Sequence, residues 1–177
     1  ETPKFLMYGG DLSGIQPYIF DLNKSHSTGV AKLYRARSFH LQMLTKVVVL
    51  EILERLGLSP VAQVMDAGGK FMLLLPNTPG IHQHLNDLEQ ELNTAFLREF
   101  TGLLTLNTCR HEASFKDLLL DRFKDTLNAF FDRLDNAKLA KFGSLFREGE
   151  PMVLENEYED GYESNCQICE TLPASEE

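Results

Sequence analysis

The chain has 177 residues, 43% of them hydrophobic, which supports one domain with a sizeable core, or one domain with an appendage. Its uninterrupted apolar runs, such as residues 71–75, are far too short to cross a bilayer, so a cytoplasmic protein with no membrane partner is expected. The formal charge of −9 is unevenly spread, because residues 148–177 hold ten of the 26 acids and none of the 17 bases. The body is therefore close to neutral, and the acidic tail is expected to be solvated and poorly ordered.

Phe5-Leu6-Met7-Tyr8 is a short apolar run that reads as a buried strand, ended by Gly9-Gly10. Asp11-Leu12-Ser13-Gly14-Ile15-Gln16-Pro17 follows as a loop-like stretch, and a Ser-, His- and Gly-rich segment occupies residues 23–29. Leu33, Leu41, Leu44, Val48, Ile52 and Leu56 then recur at helical spacing over residues 31–56, with Gly57 closing the helix. Residues 61–65 and 71–75 read as two strands joined by Asp66-Ala67-Gly68-Gly69-Lys70, a hairpin whose paired glycines supply positive φ.

A second helix is expected over residues 81–100, with Leu85, Leu88, Leu92, Phe96 and Phe100 on one face, and Leu104, Leu106 and Thr108 alternate like a final strand. The order strand, helix, strand, strand, helix, strand is the βαββαβ pattern of an α+β, ferredoxin-like domain. Ser114 and Asp117 have capping-box spacing ahead of a further helix carrying Leu118, Phe123, Leu127, Phe130 and Leu134. Residues 1–147 are thus expected to form the domain with its added helices, and residues 148–177 the acidic tail. The chain begins without Met, and is expected to be a piece of a longer polypeptide.

In such a sheet the first and third strands are antiparallel neighbours, so Asp11 is expected to lie beside Lys70. Polymerase and cyclase palms of this topology hold two divalent metals there on carboxylates. Here a lysine ammonium stands where an acid is needed; it repels Mg²⁺ and pairs with Asp11, or touches a phosphate as a point charge. The other readings are a helix N-cap or turn carboxylate for Asp11 and an ordinary hairpin turn for Gly68-Gly69. Asp66 is the only other acid near the turn, and a self-sufficient cyclase would have to use it with Asp11.

Ser13-Gly14 can approach phosphate oxygens or be a plain loop. Lys32, Arg35 and Arg37 fall early in the long helix, where the dipole disfavours cations; they suggest an anionic partner, or else a solvated face, with Ser38 adding a hydroxyl. Three cysteines are too few for a disulfide framework. Cys166-Gln167-Ile168-Cys169 has the spacing of one zinc-ribbon knuckle, and is read as half a zinc site. The five histidines form no ligand cluster, and neither a Walker loop nor a Ser-His-Asp pattern is present.

Gly10-Asp11-Leu12-Ser13-Gly14-Ile15-Gln16, followed by Tyr18-Ile19-Phe20, resembles the opening signature of the first palm domain in the large subunit of type III CRISPR effector complexes, type III-A in particular. Arg35-Ala36-Arg37-Ser38-Phe39-His40-Leu41 is similar to that family's Arg-Ser-Phe helix motif, with Ala36 in place of the usual glycine. Ala67-Gly68-Gly69-Lys70-Phe71 resembles its degenerate hairpin, and the knuckle at Cys166 stands where the family begins a zinc-binding linker.

The resemblance implies a pseudo-dimer in which a second palm, absent here, converts ATP with Mg or Mn to cyclic oligoadenylates when target RNA is bound. It implies that Asp11, Ser13, Gly14, Arg37, Ser38, Gly68 and Gly69 line the nucleotide on this side, where Lys70 joins them as a point charge, while Cys166 and Cys169 contribute to zinc. The implied partners are the second palm, other effector subunits, CRISPR RNA and target RNA. Alone the chain is expected to be inactive, and the family's HD nuclease is not carried over. A purely structural or RNA-contacting module is the remaining alternative; strand three lacks the spaced aromatics of an RNA-binding sheet.

Overall fold

The computed structural model describes residues 2–20, 30–143 and 145. β1 (Phe5–Ser13) leads through a short α1 (Ile15–Phe20) to α2 (Val30–Arg55), and β2 (Gln63–Asp66), β3 (Lys70–Pro76), α3 (Pro79–Phe100), β4 (Thr105–Ala113) and α4 (Leu120–Ala137) follow. The strands form one antiparallel sheet in the order β2-β3-β1-β4. This is the expected ferredoxin-like α+β arrangement, with α4 added. The segment 23–29, the acidic tail and the Cys166–Cys169 pair lie outside the described residues. Among the described residues no helix is long and apolar enough to cross a membrane.

Strand alternation divides the core in two. Leu6, Tyr8 and Leu12 of β1, with Phe71, Leu73 and Leu75 of β3, pack against Val48, Ile52, Leu85 and Phe96 of α2 and α3. On the other face Met7, Met72, Cys109 and Ala113 meet Phe130 and Leu134 of α4. Both α4 side chains are completely buried, each contributing roughly 1.5–3 kcal/mol of apolar burial. That is what holds α4 across a face that would otherwise be open. Burial also pushes the Cys109 thiol up to about 12, so this cysteine behaves as a small core residue rather than a nucleophile.

The Gly9-Gly10 pair does not end β1, as the apolar run alone suggests; it lies within the strand. A Cβ on Gly9 would sit 2.3 Å from Cζ of Phe130, and one on Gly10 would sit 2.3 Å from Cε1 and Cζ of Phe71. One aromatic ring therefore seats on the strand from each side, and β1 continues to carry Asp11 and Ser13 in register.

Other boundaries also shift. Pro60–Ala62 form a 3₁₀ turn with the Ser59 hydroxyl accepting from Val61 N at 3.5 Å, so β2 begins later than the apolar residues suggest. β4 runs on to Ala113, and polar side chains of its later half find a partner on α3. There the Arg110 guanidinium lies 2.9 Å from Glu89 Oε2 and the Thr108 hydroxyl donates to Glu89 Oε1 at 3.0 Å. Asp117 Oδ2 accepts from Ser114 N and Oγ at 2.8 and 2.6 Å. That contact orders a 3₁₀ turn, Lys116–Leu118, before α4 starts.

Gly9→Ala and Gly10→Ala are each expected to lower stability by about 1–3 kcal/mol through overpacking, read as a fall in the urea midpoint at unchanged slope. Trimming the facing ring, as in Gly9→Ala with Phe130→Leu, should recover part of the Gly9→Ala loss. Full stability in both single variants would show that neither ring depends on its glycine.

Candidate functional site

The end of β1 and the β2–β3 turn converge at one end of the sheet. Asp11 is the register partner of Lys70, and Leu12 N donates to the Gly69 carbonyl at 2.9 Å. Ala67 N donates to the Lys70 carbonyl at 2.8 Å across the turn, with Gly68 at φ 57° and Gly69 at φ 111°. Two successive positive φ values need the paired glycines. Gly14, at φ 91°, lies so close to the chain before β4 that a Cβ would fall 1.8 Å from the Leu103 carbonyl oxygen. Asp11, Ser13, Gly14, Gly68, Gly69 and Lys70 are thereby brought together, as the sequence motifs suggest.

The electrostatic centre is Asp11, whose side chain is 5% exposed. Lys70 Nζ lies 3.2 Å from its Oδ2, and Lys138 Nζ lies 2.7 Å from the same oxygen. Lys138 also reaches Asp135 Oδ1 at 2.8 Å. A carboxylate this buried is tolerated only with compensating charge close by, and two ammonium groups supply it. The contact with Asp11, reinforced by Asp135, raises the Lys138 ammonium above the ordinary lysine value. The same lysine holds the Asp135 carboxyl below the usual aspartate value.

Asn107, on the strand beside β1, steadies the backbone here. Its Nδ2 donates to the Asp11 carbonyl at 3.2 Å and to Ser13 Oγ at 2.8 Å. The Ser13 hydroxyl, used as an acceptor by Asn107, keeps its own proton for another partner.

This arrangement does not suit a divalent metal. Mg²⁺ requires several oxygen ligands in near-octahedral geometry, yet Asp11 Oδ2 already faces two ammonium groups. Among the described residues no group of three His, Cys, Asp or Glu is placed to hold a metal. Nor does Asp66 complete the set. Met65 packs on the α4 side of the sheet, so strand alternation sends the next residue, Asp66, toward the side of its register partner Phe71. Asp11 and Asp66 leave the sheet from opposite faces.

Arg37 and Ser38 occupy a different layer. α1 packs with α2 on the side away from α4, through Ile15, Tyr18 and Ile19. There Arg37 donates from Nη1 to the Tyr18 carbonyl at 2.6 Å, with its guanidinium carbon 5.4 Å from the Tyr18 ring centroid. Tyr18 Oη and His40 Nδ1 lie 2.7 Å apart. Arg35 donates from Nε to the Ala31 carbonyl at 3.1 Å. Arg35 and Arg37 therefore have local partners: Arg37 staples α1 to α2, and Ser38 is half-buried beside it.

Sequence reasoning overlooked Lys138 and Asn107. Lys138 stands in a 3₁₀ turn, Lys138–Ala140, immediately after α4, where no periodic pattern marks it. Asn107 is a buried polar residue inside a strand read from the alternation of Leu104, Leu106 and Thr108. An Asn inside a strand, at the position facing Asp11, was the available signal, since a buried amide must find partners.

A family profile described as Csm1 subunit domain B matches residues 4–152. The chain belongs to the Csm1 subunit domain B family. It is 32% identical over 184 residues to a Mycobacterium tuberculosis protein named CRISPR system single-strand-specific deoxyribonuclease Cas10/Csm1 (subtype III-A), a match covering 95% of this chain and 22% of that protein. A Csm1–Csm4 cassette crystallised with AMPPNP superposes with a TM-score of 0.72 and 32% identity, over 81% of this chain and 20% of the other. The cassette in complex with cA4 gives a TM-score of 0.71 and 34% identity, over 80% and 20%. The chain spans only 20–22% of the length of these Csm1 relatives.

Because the folded value of Lys138 is raised, its pairing with Asp11 contributes stability fully present below the ordinary lysine value of 10.5. That stability is lost only as pH rises through the higher folded value. The stability difference between the unsubstituted chain and Lys138→Met should therefore stay flat between about pH 6 and 9, at ~1–3 kcal/mol because Lys70 remains to compensate Asp11. A difference that already fades on going from pH 7 to 9 would contradict the ion pair.

Proposed function

We propose that this chain is the non-catalytic palm of a type III-A CRISPR large subunit, forming one wall of a nucleotide cleft whose other wall is a second palm of the same protein. The observation that carries the reading is the neutralisation of Asp11 by Lys70 and Lys138. A palm whose sheet-end carboxylate is committed to lysines does not assemble a two-metal centre by itself. Its exposed donors still suit the phosphate side of a nucleotide. The Csm1 relatives crystallised with AMPPNP and with cA4 support a nucleotide-holding role, with ATP as the nucleotide and cyclic oligoadenylate as the product of the whole protein.

In this reading Ser13, Gly14, Gly68, Gly69 and Lys70 bind and orient phosphates, while Arg37 and Ser38 hold the α1 side of the cleft. Residues 1–147 form the palm with its added helices, and residues 148–177 lead into a zinc-binding linker through Cys166 and Cys169. The Csm4 partner in the related cassettes supports assembly with other effector subunits; contacts with CRISPR RNA and target RNA belong to the same proposal. The nuclease activity in the relative's name is assigned to no residue of this chain.

A second reading treats the glycines and Ser13 as purely architectural, and the tight packing of Gly14 against Leu103 favours it. Titrating ATP against the chain joined to its second palm separates the two. Ser13→Ala should weaken binding by about tenfold, on the order of one charged hydrogen bond, whereas unchanged affinity supports the architectural reading. The isolated chain should make no linear or cyclic oligoadenylate from ATP and Mg²⁺. Synthesis that disappears in Asp11→Ala would instead identify a self-sufficient cyclase.

A further inference from the structure

We infer that Lys70 and Lys138 form a two-ammonium seat for a polyphosphate, with Asp11 beneath them as a fixed counter-ion rather than a metal ligand. The inference rests on the nucleotide-cleft reading and names the atoms that would meet the phosphates. Lys138 belongs to no motif that suggested the cleft; the folded chain alone delivers it there.

The argument begins with burial. The Asp11 side chain is 5% exposed, whereas those of Lys70 and Lys138 are 39% and 33% exposed. The carboxylate therefore lies deeper than the two lysine side chains that meet it. Both ammonium groups share one oxygen, Oδ2, at 3.2 and 2.7 Å, which holds two long, flexible side chains side by side. Ordering such side chains costs about 2 kcal/mol of rotamer entropy each. Here that cost is met in folding rather than at the moment a ligand arrives.

Donor counting points the same way. An ammonium carries three N–H groups. Lys138 donates one to Asp135 Oδ1 at 2.8 Å, and both nitrogens stand within ion-pair distance of Asp11 Oδ2, so N–H groups remain on both nitrogens. The Ser13 hydroxyl adds a further donor, positioned from behind by Asn107 Nδ2 at 2.8 Å. A cluster of donors above a buried carboxylate suits an anion with several charged oxygens. A divalent cation would have to expel both ammonium groups from Oδ2 before it could bind there. The Asp135 side chain is 64% exposed and is the group an incoming phosphate would displace.

The ligand class is a polyphosphate, either as part of a nucleotide or free, and the test separates those sources. The 177-residue chain is titrated in EDTA with inorganic tripolyphosphate, ATP and adenosine. Calorimetry and the lysine Nζ resonances are the readouts, and thermal melts of each variant verify folding. Tripolyphosphate and ATP should both shift the Lys70 and Lys138 Nζ signals without any divalent ion. Lys138→Gln should weaken both by about tenfold, the loss of one charge-assisted contact, and Lys138→Arg should retain most of the affinity.

If ATP binds in EDTA and Lys138→Gln leaves its affinity unchanged, the lysine seat is wrong while the cleft reading survives. If tripolyphosphate binds through both lysines and ATP binds no more tightly, with adenosine inert, the seat stands and the nucleotide reading loses its support. Binding of ATP only after Mg²⁺ is restored overturns the seat. No binding of any probe to the chain overturns the seat, while the shared-cleft reading is decided by the titration of the chain joined to its second palm.

Discussion

A carboxylate taken out of water at the end of a β-strand must be matched by charge, and at Asp11 two lysines from distant parts of the chain do so. Lys70 enters from the hairpin as the cross-strand neighbour of Asp11, and Lys138 enters from the turn after α4. The desolvation cost of an unmatched buried carboxylate is several kcal/mol. Correct placement of α4 is thus tied electrostatically to correct pairing of β1 with β3. The apolar contacts of Phe130 and Leu134 hold the same helix from the other direction. Hydrophobic packing brings the helix onto the sheet, and the ion pair fixes how its end meets the strand.

The consequence for function follows from what remains exposed. A palm that presents carboxylates at this end of its sheet attracts metal ions; this one buries its acid beneath two partly exposed lysine side chains. In the proposed role the same fold carries a different electrostatic face, one that holds phosphate rather than activating it. Positioning alone is a substantial part of phosphoryl and nucleotidyl chemistry, which is the part the proposed role leaves to a wall without metal ligands.

Much of this was legible in the amino-acid order, for identifiable reasons. The βαββαβ order makes β1 and β3 neighbours, so the Asp11–Lys70 pairing follows from topology once the strands are placed. Paired glycines at 68 and 69 announce a turn because few other residues accept both φ values. Lys138 was not legible, because its contact is long-range and the turn that carries it has no periodicity. The role of Gly9 and Gly10 was hidden too: glycines next to an apolar run read as a strand end, and only the facing rings of Phe130 and Phe71 show why they lie inside. The basic start of α2 suggested a free anion site, but Arg37 proves to have a partner in the Tyr18 carbonyl, a contact that no local pattern encodes.

Anomalous diffraction from crystals of the chain grown with Mn²⁺ tests the central claim most directly. The expected result is density for both ammonium groups on Asp11 Oδ2 and no manganese peak within coordination distance, about 2.0–2.3 Å. A manganese peak on Asp11, with Lys70 and Lys138 swung away into solvent, would contradict it.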